Sequence, residues 1–347
     1  MSAMKKSILW PVALHARSPR TVTAVVILAL LAVLPMIAGA LESSYYVSFA
    51  TRVLIYALAA IGLNFILGFG GMVSLGHAMY MLLGAYAVAI PASHGVTSGF
   101  VHVALAVCAC VPLSAILGAV ALRTSGIAFI MITLAFAQML FFGAVSLKDY
   151  GGDDGLNVAA RSTLGGLDLA NNTTLYYVAF VAVLVALYLS WRAVLSPFGL
   201  VLRATKSNAR RATALGHPIF RYQLTAYVAS AVVCAIAGVL LANLTLFASP
   251  AYGAWTLSGE LIVIVILGGL GTVFGPVVGA IILLALEEAL PMLIEATLPD
   301  YKSNWMLLLG LFIFFVALLL KRGVFGSLPT HDRAASARGE FAEPGSS

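Results

Sequence analysis

The chain has 347 residues, of which 62% are hydrophobic and only 9% charged, and its mean hydropathy is +1.04. Water-facing surfaces need charge, so this composition excludes a soluble domain and marks an integral membrane protein. The net charge of +6 does not point to nucleic acid, because the basic residues gather at the ends of apolar segments instead of spreading over a basic domain interleaved with aromatics.

In chain order, residues 1–20 place Lys5 and Lys6 ahead of a short apolar stretch, 8–14, and the sequence Ala-Leu-His-Ala at 13–16. That resembles a signal peptide with a cleavage site. The apolar stretch is short, contains Pro11 and precedes a full span, so it reads instead as a cytoplasmic segment lying at the membrane interface. Apolar windows long enough to approach the roughly 30 Å hydrocarbon core, at about 1.5 Å per helical residue, follow at 21–41, 46–67, 78–93, 100–122, 127–146, 175–194, 222–247, 254–270, 274–294 and 305–320. The window 254–270 is short enough to be re-entrant. Runs such as ELIVIVIL do not alternate, which excludes transmembrane strands. The expected fold is therefore all-α, a polytopic bundle of about ten spans (eight to ten), with a membrane domain over 21–322, a cytoplasmic loop at about 195–221, and a polar, aperiodic tail over 323–347 expected to be disordered.

Positive residues are retained in the cytoplasm during insertion. With the N-terminus inside, the cytoplasmic side receives fifteen of the nineteen Lys and Arg residues, and the other side keeps Arg52, Lys148, Arg161 and Lys302. Both termini and the 195–221 loop are therefore assigned to the cytoplasm.

Chemistry is constrained by what the spans carry. Cys108, Cys110 and Cys234 all fall in apolar runs and no Cys-x-x-Cys occurs, so they read as buried small hydrophobes, and no metal or disulfide framework is indicated. None of the six lysines follows a glycine, so no phosphate-cradling loop of the Gly-Lys-Ser/Thr type is present. Within the windows the carboxylates are Glu260, Glu287 and Glu288, and no Lys or Arg is read deep in one. Few intramembrane charges, no nucleotide loop and a large basic loop together suggest energy supplied by a separate ATPase.

Three blocks stand out. In 62–87, glycines at 62, 68, 70, 71, 76 and 84 interrupt two apolar runs, and Asn64, Ser74 and His77 add polar groups. Broken helix is tolerated in lipid where protein or a water-filled cavity covers the freed backbone, so Asn64, Gly70, Gly71, Ser74 and His77 are candidates for a translocation path. Close helix packing through small residues is the alternative, and a packed histidine the alternative for His77. Glu260, an ionisable group inside a span, joins the candidates or serves as a structural acceptor. The basic loop places Leu202, Ala209, Ala212, Leu215 and Gly216 among Arg203, Lys206, Asn208, Arg210 and Arg211, with Gly216 and Pro218 ending a helix. Its apolar face is small and lacks aromatic anchors, which suits docking to a protein partner over lying on lipid. Glycines 268, 269, 271 and 275 with Pro276 form a tight turn between spans.

These blocks, 62–87, the basic loop through Arg221 and Tyr222, and 261–280, with a weaker GGDDGLN at 151–157, resemble the permeases of branched-chain amino acid ABC transporters, of the LivM type within the LivH/LivM family. The resemblance implies a non-catalytic permease subunit of a bacterial inner-membrane importer. Its partners would be two ABC ATPase subunits that bind ATP and Mg, a second homologous LivH-type permease and a periplasmic substrate-binding protein, with membrane lipid around it and no nucleic acid. In the resemblance the 203–216 segment is the coupling helix, with Arg203, Lys206, Asn208, Arg210, Arg211, Ala212, Leu215 and Gly216 meeting the ATPase. Ser207 and Ala209 stand where many members have an acidic residue, and Arg211 where they have a small one. Urea and aromatic or carboxylic acid systems use similar permeases, and an ion-coupled secondary transporter is the rival from another class.

Overall fold

The computed structural model describes residues 19–40, 44–165, 167–297, 305–319 and 323–327. The segment before 19 and the tail after 327 lie outside the described residues. The chain runs through α1 (Pro19–Ala40), α2 (Ser44–Asn64), α3 (Ala78–Ser93), α4 (Gly99–Ala121), α5 (Ile127–Ser146) and α6 (Asn172–Leu195). Two short helices follow, α7 (Pro197–Ser207) and α8 (Ala209–Ala214), then α9 (Ile219–Thr245), α10 (Trp255–Gly268), α11 (Gly275–Thr297), α12 (Trp305–Leu319) and the single turn α13 (Val324–Ser327). All ten apolar windows are helices. Seven are long and apolar enough to cross a bilayer, α2 being extended by a π-helical turn over Phe65–Phe69. The other three, α3, α10 and α12, have 16, 14 and 15 residues and rise only about 24, 21 and 22 Å.

Hydrogen bonds between loops sort them onto two ends. At one end, β1 (Leu156–Asn157) pairs antiparallel with β4 (Phe247–Ala248), and β2 (Thr163–Leu164) with β3 (Leu167–Asp168). The Thr163 amide donates to the Thr97 carbonyl at 2.8 Å, and the Ser162 amide to Asn243 Oδ1 at 2.8 Å. Arg161 Nη1 donates to Leu169 O, Ala170 O and Asn172 Oδ1 at 3.2, 3.1 and 2.6 Å, and its partial burial lowers its pKa. At the other end, Arg20 Nη2 donates to the Gly326 carbonyl at 2.6 Å and Phe325 packs on Phe274 with ring centroids 5.4 Å apart. Val324–Ser327, just beyond the boundary expected at 322, packs onto the start of α1 and α11.

Helix α2 sits at the centre, apolar around its whole circumference and buried on nearly every side, as a helix surrounded by helices must be. It packs on α6, α9, α10 and α11, and Ser230 Oγ of α9 donates to the Gly62 carbonyl at 2.6 Å. The α3–α9 crossing is closer still. A Cβ on Gly84 would stand 2.0 Å from the Ala235 carbonyl oxygen, and one on Gly238 would stand 2.0 Å from that of Met81. Of the three cysteines, Cys110 and Cys234 are buried as expected, whereas Cys108 is exposed on the outer surface of α4.

Candidate functional site

The basic loop folds as a bent pair of helices. Ser196 caps α7, its Oγ accepting from the Gly199 amide at 3.4 Å, with Pro197 in the first turn. The single helix expected over 203–216 is not formed. Asn208 takes an extended conformation (φ −159°, ψ 99°) and its Oδ1 accepts from the Arg211 amide at 3.0 Å, so its short side chain ends one helix and starts the next. Gly216, at φ +85°, ends α8 in the left-handed conformation that glycine supplies.

This bend divides the basic residues. Arg203 turns back on its own hairpin, Nε to Gly199 O at 3.4 Å and Nη2 to Val194 O at 3.3 Å. Lys206 reaches into the bundle, Nζ donating to the Gly68 carbonyl in the π turn at 2.6 Å. Ala212 is buried. Arg210, Arg211, Leu215 and Gly216 are left on the outside, with Leu215 72% exposed.

The two glycine turns meet above this loop. Asn64 Nδ2 donates to the Thr272 carbonyl at 2.9 Å and its Oδ1 accepts from the Gly271 amide at 3.2 Å. A Cβ on Gly68 would stand 2.6 Å from the Gly271 nitrogen, and one on Gly71, itself at φ +71°, would stand 2.8 Å from Lys206 Cγ. Gly70 is buried, with a Cβ position 2.7 Å from Ile66 O. Asn64, Gly70 and Gly71 therefore belong to a junction of turns, and the structure does not place them with the other path candidates.

Ser74 and His77 do come together deeper in the bundle. Residues 70–77 are irregular, and their freed amides find hydroxyl acceptors on other helices: Leu75 N donates to Thr133 Oγ1 at 3.3 Å and Ala78 N to Ser258 Oγ at 2.9 Å. Ser74 Oγ lies 2.9 Å from His77 Nδ1. The imidazole is fully buried with Nε2 unpartnered, set edge-on to Tyr80 and Tyr227 at centroid distances of 5.6 and 5.3 Å. Tyr80 donates to Tyr227 at 3.2 Å. Sequence reasoning missed Tyr80, Thr133 and Tyr227. Their signal is a hydroxyl inside an apolar run, which names no partner.

Glu260 lies apart from this cluster. Ser258 faces inward, while Glu260, two residues on, lies on the opposite side with Oε1 buried and unpartnered. Arg52, assigned by the charge bias to the outer side, sits within α2, 5.6 Å over the Tyr56 ring. Glu260 and Glu287 are within its electrostatic reach. The Tyr45 hydroxyl donates to Glu288. Among the described residues, no three His, Cys, Asp or Glu side chains gather as a metal set.

The chain is 27% identical over 296 residues to the high-affinity branched-chain amino acid transport system permease protein LivM of Salmonella typhimurium, an alignment covering 76% of this chain and 66% of that protein. It is 26% identical over the same coverage to LivM of Escherichia coli K12. The chain thus spans just under two thirds of the length of the curated relatives it matches. No solved structure matches. The family described as branched-chain amino acid transport system, permease component, matches residues 45–317, a stretch running from α2 into α12 with both glycine turns and the bent basic loop, and the chain belongs to that family.

Proposed function

We propose that the chain is the non-catalytic permease subunit of an ATP-driven importer in the bacterial inner membrane, moving branched-chain or related small, largely apolar amino acids, with its termini in the cytoplasm. The observation that carries this reading is the division of the basic loop. Arg210, Arg211 and Leu215 form an exposed tip that offers charge and one apolar side chain to a partner. Lys206, one turn away, is bonded to the Gly68 carbonyl. A push on the tip thus has a direct route to the glycine turns, as a separate ATPase dimer closing on ATP would require. A second homologous permease chain and a periplasmic binding protein complete the assembly.

Changing Arg210 and Arg211 to Glu tests the tip. Reversed charge at an interface costs about 2–5 kcal/mol, so the variant should reach the membrane at normal levels, fail to co-purify with the ATPase and transport nothing. Normal co-purification with full uptake would refute the docking assignment. The rival reading, an ion-coupled transporter, rests on the unpartnered Glu260 oxygen. It predicts uptake that follows the proton gradient and continues when the partner ATPase has lost its nucleotide-binding lysine.

A further inference from the structure

Along α10 the buried side carries Leu257, Ser258, Leu261, Ile264 and Val265. The opposite side is more open. Trp255 is 53% exposed, a Cβ on Gly259 would meet no atom within 4 Å, Glu260 follows, and Ile266 is exposed. Arg52 and Glu287 lie within electrostatic reach of Glu260 on this face. From Val47 to Gly70, Arg52 is the one exposed residue of α2 and its π turn; it lies eight residues into the helix, about 12 Å from its start. Glu287 lies twelve residues from Gly275 and ten from Thr297, about 18 and 15 Å from the two ends of α11.

An ionised side chain at the helix centre costs about 2.5–3.5 kcal/mol even by the mildest scales, so hydrocarbon is not what covers this face. The charges are also held apart. Among the described residues no ion pair within 4 Å joins Arg52 to either carboxylate, and one Glu260 oxygen has no partner. In a low-dielectric setting opposite charges gain by closing on each other unless the scaffold prevents it, and here they stand on three helices packed together, α2, α10 and α11. A guanidinium and two carboxylates within electrostatic reach of one another, with open space at Gly259 next to Glu260, match a molecule that carries both signs.

We propose, resting on the permease reading above, that Arg52, Glu260 and Glu287 form an intramembrane station for a zwitterionic amino acid, its carboxylate toward Arg52 and its ammonium toward Glu260 and Glu287. A neutral solute such as urea would offer neither end a counter-charge, and a monocarboxylate would bring a third anion toward the two glutamates. The fixed charges select the solute by its two ends.

The test uses the full complex with ATPase, second permease and binding protein in proteoliposomes, with L-leucine as probe and L-leucine transported per ATP hydrolysed as readout. Arg52→Gln and Glu260→Gln each remove one charge-assisted contact, and transport per ATP should fall by about 10- to 100-fold. Assembly, ATP hydrolysis and leucine binding by the binding protein should stay at wild-type levels. Transport per ATP within about twofold of wild type in both variants overturns the station. So does loss of the second permease from both complexes, which would make these charges a subunit contact, and so does wild-type transport of urea or a monocarboxylate that both variants leave unchanged. Failure of the permease reading would show elsewhere, as wild-type uptake that needs no ATPase.

Discussion

The α3–α9 crossing offers a sharp test of the packing. Moving a Cβ from 2.0 Å to an ordinary 3.4 Å separation from the facing carbonyl requires the helices to part by 1.4 Å at Gly84 or at Gly238. Overpacking of this kind costs about 1–3 kcal/mol, and drawing the two backbones out of Cα–H to carbonyl range costs about 0.5–1 kcal/mol more, so Gly84→Ala and Gly238→Ala should each destabilise the protein by about 1.5–4 kcal/mol. Gly84 faces Ala235 while Gly238, one turn on, faces Met81, so both close approaches belong to one crossing, and helices already parted for one methyl should accept the second cheaply. The double variant should therefore lose much less than the sum. Gly143→Ala, on a helix where a Cβ meets nothing within 4 Å, serves as control and should be neutral or gain up to about 1 kcal/mol from helix propensity. Unfolding titrations in mixed detergent micelles measure all four. Single variants no less stable than the control, or a strictly additive double variant, would refute the interlocked crossing.

Lys206→Met keeps the alkyl chain but removes the donor to Gly68 O, a charged hydrogen bond worth about 1.5–3 kcal/mol. The complex should assemble and hydrolyse ATP while transporting less per ATP; an unchanged ratio would show that the coupling stroke does not pass through this bond. Asn208→Ala removes the cap of α8, at a cost of about 0.5–2 kcal/mol. Limited proteolysis within 208–216 should accelerate while the bundle stays intact, and unchanged cleavage would mean that the cap does not hold the bend.

The helices were legible because lipid leaves the backbone little choice: an apolar run that cannot hydrogen-bond to its surroundings must bond to itself, so composition and length located all ten. The glycine blocks were legible as breaks for the same reason. What escaped was direction and partnership. Lys206 and Arg210 look alike in a basic run, yet Lys206 is bonded to the Gly68 carbonyl of the bundle while Arg210 lies past the bend at Asn208 on the exposed tip. Helical periodicity continues through 208, and it masks the competing signal, an asparagine able to cap three residues ahead.

The path candidates divided for a related reason. Asn64, Ser74 and His77 share one segment of sequence, but Asn64 is bonded to the second glycine turn while Ser74 and His77 bond to each other, the amides of Leu75 and Ala78 reach hydroxyls on α5 and α10, and the imidazole packs on Tyr227 of α9, partners from other helices that local pattern cannot supply. Arg52 reads as a flanking charge because it lies near the start of an apolar window. In a helix whose later residues are buried, that exposure at depth is the anomaly, since a basic side chain seven residues into a window can reach the interface only by snorkelling along it. Arg52 instead lies over Tyr56 and within electrostatic reach of Glu260 and Glu287 on two other helices. A bias counted from sidedness alone makes it a topology signal, whereas its burial pattern and neighbours make it part of the membrane-embedded chemistry.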